Sequence, residues 1–510
     1  MTQFGIICAY LCVLIGLGFL SNRSFRGTAQ DFFLASRTIG PTLLLLSVFG
    51  TAMTAFSLVG STGEAYRSGI GVYGLMASSS GIVHTAVFYF AGLRLWSFGA
   101  RYGYTTQIQF FRDRFESRAL GLLLFPVLVG LVIPYVLIGL LGAGSLVQAL
   151  TQGAFPQLFA STAGAVPPWL TGLGIAGVVL LYVFVGGLRG AAWANALQAG
   201  VFIVTGIATF VVIGPKLGGV AAATEAVLAV HPDKLTRTEN FGQLHFFSYC
   251  FIPLSIGMFP HVYQHWLTAK SARSFKPLLV LHPVCTMLVW LPCVLIGVWA
   301  TAAVLPDGSS VIAPDSPVNS ELGTMVGALT TPVLGGLLGA GILAAVMSSL
   351  DSQFLAIGSM VTNDIAIDLL GKGRLNDRAK VRLGRLVVIG IAAAAYLCSL
   401  AEPRSVFTLG VWCFSGYSAL FPVAVAAIYW RRATAAGAMA AVLATVAVGW
   451  AFFRAGGYGS DPGYLFMGML PVVPMVAAST LALVGVSLAT APPSEGTLAK
   501  FFRSSGPRQA

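Results

Sequence analysis

Gly341-Ile-Leu-Ala-Ala-Val-Met-Ser-Ser-Leu-Asp-Ser-Gln-Phe354, running on to Thr362-Asn363-Asp364, is an apolar helical stretch that carries Ser348, Ser349, Asp351 and Ser352 where the interior of a bilayer would be. At about 100° per residue, Ala345, Ser348, Ser349 and Ser352 share a sector of roughly 100°, and Asp351 lies about 60° beyond Ser348. A stripe of oxygens with a carboxylate at its margin is costly in hydrocarbon and points to an ion or solute pathway. The competing explanation is that both serines bond back to carbonyls of their own helix, as serines in membrane helices often do.

The surrounding chain makes the bilayer reading necessary. Of its 510 residues, 56% are hydrophobic and 9% charged, and the mean hydropathy is +0.84. These values exclude both a soluble globular protein and a disordered one. At roughly 20 apolar residues per crossing, the sequence predicts an all-α polytopic membrane protein of about thirteen helices, near 3–20, 42–66, 71–95, 119–150, 167–184, 191–213, 244–264, 277–304, 324–365, 383–400, 405–430, 434–453 and 463–488. With the N-terminus outside and the C-terminus cytoplasmic, 23 of the 29 Lys and Arg fall in cytoplasmic connections. The net charge of +12 therefore reports orientation in a cytoplasmic membrane and not a nucleic-acid partner. Residues 1–20 lack a basic leader and a small-residue cleavage site, so they read as a first span and not a cleaved signal. The seven cysteines lie in apolar runs without metal-ligand spacing and read as buried thiols.

Two spans are built to break. The second carries Gly50 and the small, polar run Thr51-Ala-Met-Thr-Ala-Phe-Ser57, and the seventh carries Pro253, Gly257 and Pro260. Kinking alone would account for either. Two interrupted spans five apart point instead to a five-plus-five inverted repeat, with one helix before it and two after. The expected divisions are 1–41 (first helix and cytoplasmic loop), 42–213 and 243–432 (the repeats), 214–242 (an external loop with a short surface helix), 433–490 (two accessory helices) and 491–510 (a cytoplasmic tail). Gly172-Leu-Gly-Ile-Ala-Gly177 spells a dinucleotide-like GxGxxG, but it sits inside an apolar span and reads as helix packing.

A sodium ion takes oxygen ligands, about five by analogy with calcium and magnesium. The ninth span offers the Ser348 and Ser349 hydroxyls and the Ala345 carbonyl, and the broken second span offers the carbonyls of Gly50 and Met53. Residues 344–353 followed by Thr362-Asn-Asp364, the segment Gly186-Gly-Leu-Arg-Gly-Ala-Ala-Trp-Ala-Asn-Ala-Leu-Gln198, and Ala35-Ser-Arg-Thr-Ile-Gly40 with its following broken helix resemble the sodium:solute symporter family in its bacterial members. The resemblance covers roughly residues 1–455. It implies a leucine-transporter-type fold and a sodium site at Gly50, Met53, Ala345, Ser348 and Ser349. It also exposes a departure: many members carry Asp where this chain has Asn195, facing hydroxyl positions that here are Asp351 and Ser352. Asp351 then either stands in for the missing carboxylate, keeping a second cation or proton site with Asn195 and Ser352, or only pairs locally while the second site is lost.

The resemblance implies a substrate pocket beside that site. Its candidates are Thr54 and Ser57; Tyr135 and Ser145; Ser248, Phe251, Ser255, Phe259, His261, Tyr263 and Gln264; and Trp412, Phe414, Ser415 and Tyr417. His261 and His265, four apart, invite a metal reading but lack a third ligand and read as polar lining. Asp364 and Asp368 form either a gate at the cytoplasmic end of the ninth span or ordinary topology-setting charges. The expected function is sodium-coupled symport of a small organic solute by alternating access, with sodium the sole cofactor and a monomer sufficient. Segments 105–118 and 133–136 look most like the monocarboxylate and pantothenate branches, and sugars and amino acids stay open. A transporter-shaped sensor is the alternative, disfavoured by the short tail. An enzyme is not expected, since no metal motif, nucleophile elbow or aspartate pair appears in the spans.

Overall fold

The computed structural model describes residues 1–22, 28–237, 241–366, 376–401 and 405–502. Among these, nine helices are long and apolar enough to cross a membrane, or eleven when each of two bent pairs counts as one span. Two further crossings are hidden by interruptions. The 49-residue helix Pro168–Lys216 is divided at Gly187, whose φ of +56° and ψ of −153° no other residue adopts readily. A Cβ there would also lie 2.8 Å from the Phe32 carbonyl oxygen. The helix over 71–102 is interrupted by the π-helical turns Gly74–Ser78 and Phe88–Gly92. The order of thirteen spans expected from hydropathy is thus kept.

The two bent pairs are the second and seventh spans: Pro41–Ala52 with Phe56–Ser68, turning by 58°, and Gln243–Gly257 with Pro260–Thr268, turning by 51°. In the second, Met53 is extended (φ −87°, ψ 109°) and opens the helix at mid-depth. In the seventh, Pro260 forces the preceding Phe259 into an extended conformation (φ −65°, ψ 119°). The entry of one lies against the exit of the other, with Ile39 N–H donating to Thr268 O at 3.0 Å and Lys270 N–H to Ile39 O at 2.9 Å. The broken spans therefore run antiparallel, as an inverted repeat requires.

Burial ranks the spans. In the most apolar stretch of Pro332–Ala366, 83% of residues are buried, and in Val406–Tyr429, 78%; the first span has 17% and the last two 28% each. The ninth and eleventh spans are the core, and the first, tenth, twelfth and thirteenth are peripheral. Small residues permit the ninth span's close contacts: a Cβ on Gly341 would lie 1.9 Å from Thr205 Oγ1 of the sixth span.

Three features add to or depart from the expectation. The ninth span begins at Pro332, not 324, because Thr331 caps it through Leu334 N–H while Glu321–Leu329 forms a separate helix. Within the segment from 491, Glu495–Phe502 is a helix whose Phe501 packs edge-on against Phe98, and Lys500 pairs with Asp113 at 2.5 Å. Arg114, one of the 23 Lys and Arg assigned to cytoplasmic connections, is fully buried; it donates to Ala427 O (2.8 Å) and Trp430 O (3.0 Å), closing the C-terminus of the eleventh span.

Candidate functional site

The opening of the second span leaves carbonyls without helical donors, and the ninth span meets them there. Ser348 Oγ lies 2.6 Å from Gly50 O, 3.3 Å from Met53 O and 2.8 Å from Ala345 O. A hydroxyl has one proton, so it satisfies one of these three acceptors and presents lone pairs to the others. A buried cluster of one hydroxyl and three carbonyls is the donor set a hard cation prefers. Ser349 does not turn into it; its hydroxyl contacts Val346 O of its own helix at 3.4 Å. Back-bonding, the competing explanation for these serines, thus describes Ser349 fully and Ser348 only in part. A Cβ on Gly50 would lie 2.8 Å from the Asn195 carbonyl oxygen, so glycine lets the break touch the sixth span.

One turn further along, a second polar cluster forms around Asp351. Ser352 Oγ donates to Asp351 Oδ1 at 2.9 Å, and Tyr182 OH donates to Asp351 Oδ2 at 3.2 Å. With its proton committed to Asp351, Ser352 Oγ accepts from Asn195 Nδ2 at 3.0 Å and from His265 Nε2 at 2.9 Å. The donors thus converge on one carboxylate, and no Lys or Arg among the described residues forms an ion pair with it. The predicted trio of Asn195, Asp351 and Ser352 is brought together. His265 and Tyr182 are additions that spacing could not supply, since they lie 87 and 169 residues from their partners.

Between the two breaks lies a small cavity. Of the expected lining it contains Thr54, Ser57, Tyr135, Ser255, Phe259 and Phe414, and Met53 connects it to the Ser348 cluster. Ser80, His84, Tyr249 and Trp290 line it as well and were not foreseen. Polar residues inside the apolar third and eighth spans were the available signal for His84 and Trp290.

The remaining candidates are placed elsewhere, each for a packing reason. Ser145 contacts Val318 O at 3.4 Å, outside the cavity. Ser248 donates to His245 O and accepts from Leu470 N–H, tying the seventh span to the segment before the thirteenth. Phe251 packs on Phe247, and Gln264 donates to Phe33 O at 3.1 Å. His261 stacks on Phe259 at 5.2 Å one layer behind the lining. Tyr417 meets Phe259 edge-on while its hydroxyl donates to Leu128 O. Trp412 stacks on Tyr464 near the outer wall, Ser415 bonds back to Val411 O, and Tyr263 is buried in the second half of the seventh span.

Asp364 is buried and accepts from Thr106 Oγ1 at 2.8 Å; Asp368 lies outside the described residues. Nearby, Arg189 donates to Asp31 Oδ1 at 2.7 Å and to Ala35 O at 3.3 Å, so two segments far apart in sequence, around 35 and 189, lock together beside the Gly187 break.

Three comparisons bear on this arrangement. The sodium:solute symporter family model matches residues 32–445. The osmoregulated proline transporter OpuE of Bacillus subtilis is 27% identical over 285 residues, 55% of each chain. The sodium/pantothenate symporter of Escherichia coli is 24% identical over 505 residues, covering 96% of this chain and 98% of that one. The match to the high-affinity proline transporter PutP of B. subtilis spans 49% of that relative at 26% identity, so the chain spans about half the length of these two proline transporters. A Na+-coupled sialic acid symporter, solved in a substrate-bound outward-open state, has a TM-score of 0.77 with 19% identity over 96% of this chain and 98% of its own, which establishes a shared fold. Its relatives are transporters and not enzymes, and with the family match running through both repeats, the chain belongs to the sodium:solute symporter family.

Proposed function

We propose that this protein is a secondary transporter that couples the sodium gradient to movement of a small organic solute across the cytoplasmic membrane. The observation that carries the reading is the meeting of Ser348 Oγ with the carbonyls of Gly50, Met53 and Ala345 at the break in the second span. Sodium bound there would hold the second and ninth spans together, and Ser349 would add a fifth oxygen by a change of χ1 rotamer. Alternating access follows if the ion favours the state in which the cavity receives solute, because binding energy then shifts the conformational population.

The Asp351 cluster is the second part of the proposal. The resemblance puts a carboxylate at the Asn195 position in many members; here Asp351 would supply it from across the gap, within hydrogen-bond reach of the same Ser352. This keeps a second cation-holding position. The relatives transport proline or pantothenate by name; the N-terminus outside, the C-terminus cytoplasmic and a sufficient monomer complete the reading. Uptake of radiolabelled L-proline and pantothenate into proteoliposomes, with an inward sodium gradient and with potassium in its place, tests it. Sodium-stimulated uptake is expected, and equal uptake in potassium across a broad solute panel would remove the proposal.

A further inference from the structure

Behind the cavity wall lies a pair of buried histidines. His84, on the third span, lines the cavity, and its Nδ1 is 3.2 Å from Nε2 of His282 on the eighth span. The far side of His282 is aromatic, with Phe88 and Phe49 edge-on to it at 4.9 and 5.6 Å. Its Nδ1 accordingly has no hydrogen-bond partner among the described residues.

For two neutral rings, this environment selects the tautomers. If His84 donated across the pair, His282 would carry its proton on Nδ1, a buried N–H with no acceptor. If His282 donates, its Nδ1 is a bare lone pair. Buried N–H groups without partners are the rarer and more costly of the two. His282 Nε2–H therefore donates to His84 Nδ1, which places the His84 proton on Nε2, at the ring edge away from His282. Other lining groups also have protons to give, among them the hydroxyls of Ser57, Ser80, Tyr135, Tyr249 and Ser255. Trp290 Nε1–H is buried without a partner among the described residues, and Thr54 Oγ1 accepts from Phe56 N–H at 3.1 Å, leaving its own proton free. No Asp, Glu, Lys or Arg lines the cavity.

We infer that His84, held in its tautomer by the positioning residue His282, is the specificity-determining donor for a solute that carries a carboxylate. A cavity offering N–H and O–H donors without an acidic side chain suits an acceptor-rich group, and an ionised acceptor makes the stronger hydrogen bonds to such donors. This rests on the transport reading above and adds to it the class of solute and the residue that recognises it.

The test uses the full-length protein in proteoliposomes under a sodium gradient, with L-proline, pantothenate, pyruvate and glucose as radiolabelled probes. Each carboxylate is also paired with its carboxamide as an unlabelled competitor. Uptake of a carboxylate, competed by carboxylates and not by the matching amide, is expected. His84→Phe should raise the half-saturating solute concentration about tenfold or more, the effect of one lost charge-assisted hydrogen bond, while half-saturating sodium stays within about twofold. His84→Gln, which keeps an N–H donor, should recover most of the loss. Equal competition by acid and amide overturns the inference, and that experiment needs no variant. Unchanged solute affinity in a folded His84→Phe protein also overturns it. Sodium-driven uptake of glucose alone overturns it and leaves the symport reading standing, whereas no sodium-driven uptake across the broad solute panel removes both.

Discussion

Removing the Ser348 hydroxyl is the sharpest perturbation of the proposed sodium site. In the native geometry it is 2.6 Å from Gly50 O, a carbonyl that the break at Met53 has deprived of its helical donor, and 2.8 Å from Ala345 O. Ser348→Ala has two separable consequences. Without sodium, a buried carbonyl is left unpaired, costing about 1–3 kcal/mol of stability. With sodium, the ion loses one of about five oxygens; taking a hydrogen bond to a charged group as the measure, about 1.5–3 kcal/mol, half-saturating sodium should rise about 10- to 150-fold. Ser349→Ala should also raise half-saturating sodium, but less than Ser348→Ala, by the cost of turning that hydroxyl away from Val346 O of its own helix. The assay is the initial rate of solute uptake in proteoliposomes as sodium is titrated at saturating solute, with thermal melting in sodium and in potassium as the control for folding. A Ser348→Ala protein that melts normally and keeps half-saturating sodium within about twofold of the parent would refute the assignment, since an oxygen that contributes less than 0.5 kcal/mol or so is not a ligand.

Gly50→Ala brings a Cβ within 2.8 Å of the Asn195 carbonyl oxygen; overpacking of about 1–3 kcal/mol should lower the melting temperature and weaken sodium dependence together, and an unchanged protein would show that the break relaxes freely. If Asp351 holds a second cation, uptake should depend on sodium with a Hill coefficient above one that falls to about one in Asp351→Ala; a parent value near one, unchanged by the substitution, would leave Asp351 a local pairing group. Outside the spans, burial raises the Glu321 carboxyl above its ordinary value of 4.5. The folded protein then holds that proton more tightly than the unfolded chain, so stability falls as pH rises through the raised value. Glu321→Gln should flatten this fall and raise the melting temperature near neutral pH. Glu116 has the opposite sign: hydrogen bonds from Ser494 and Thr497 hold it below 4.5. Its contribution to docking the helix Glu495–Phe502 is present above that value and lost as pH falls through the lowered one. Hydrogen-exchange protection over residues 495–502, corrected for the intrinsic pH dependence of amide exchange, should fall below about pH 4.5 in the parent and be low at neutral pH in Glu116→Gln; protection insensitive to both would remove Glu116 from the docking surface.

What was legible in the sequence is what a bilayer punishes. Spans, breaks and the Ser348–Ser352 stripe stand out because each unsatisfied polar group in hydrocarbon carries a cost that a single sequence displays. Thus Gly50, Met53 and Ala345 could be set beside Ser348 as candidate oxygens before any coordinates, whereas the pairing of Asn195 with Ser352 came from the family resemblance and not from cost. The illegible part is which satisfied polar residue faces which cavity. His261 and His265 look equivalent on one helical face, yet one turn apart they meet different neighbours: His265 reaches Ser352 while His261 stacks in an aromatic layer. Trp412 and Tyr417 are aromatics of one span, and only Phe414 between them reaches the lining. His84 and His282 are 198 residues apart and acquire meaning only as a pair. The division has a physical origin. Burial cost is a property of one residue in one solvent and is written locally, whereas the direction of a side chain depends on helix rotation and crossing, which packing of the whole bundle decides. The assignments that rest on cost alone should therefore survive mutagenesis of neighbouring helices better than those that rest on rotation, and the cavity-lining residues of the third and eighth spans belong to the second kind.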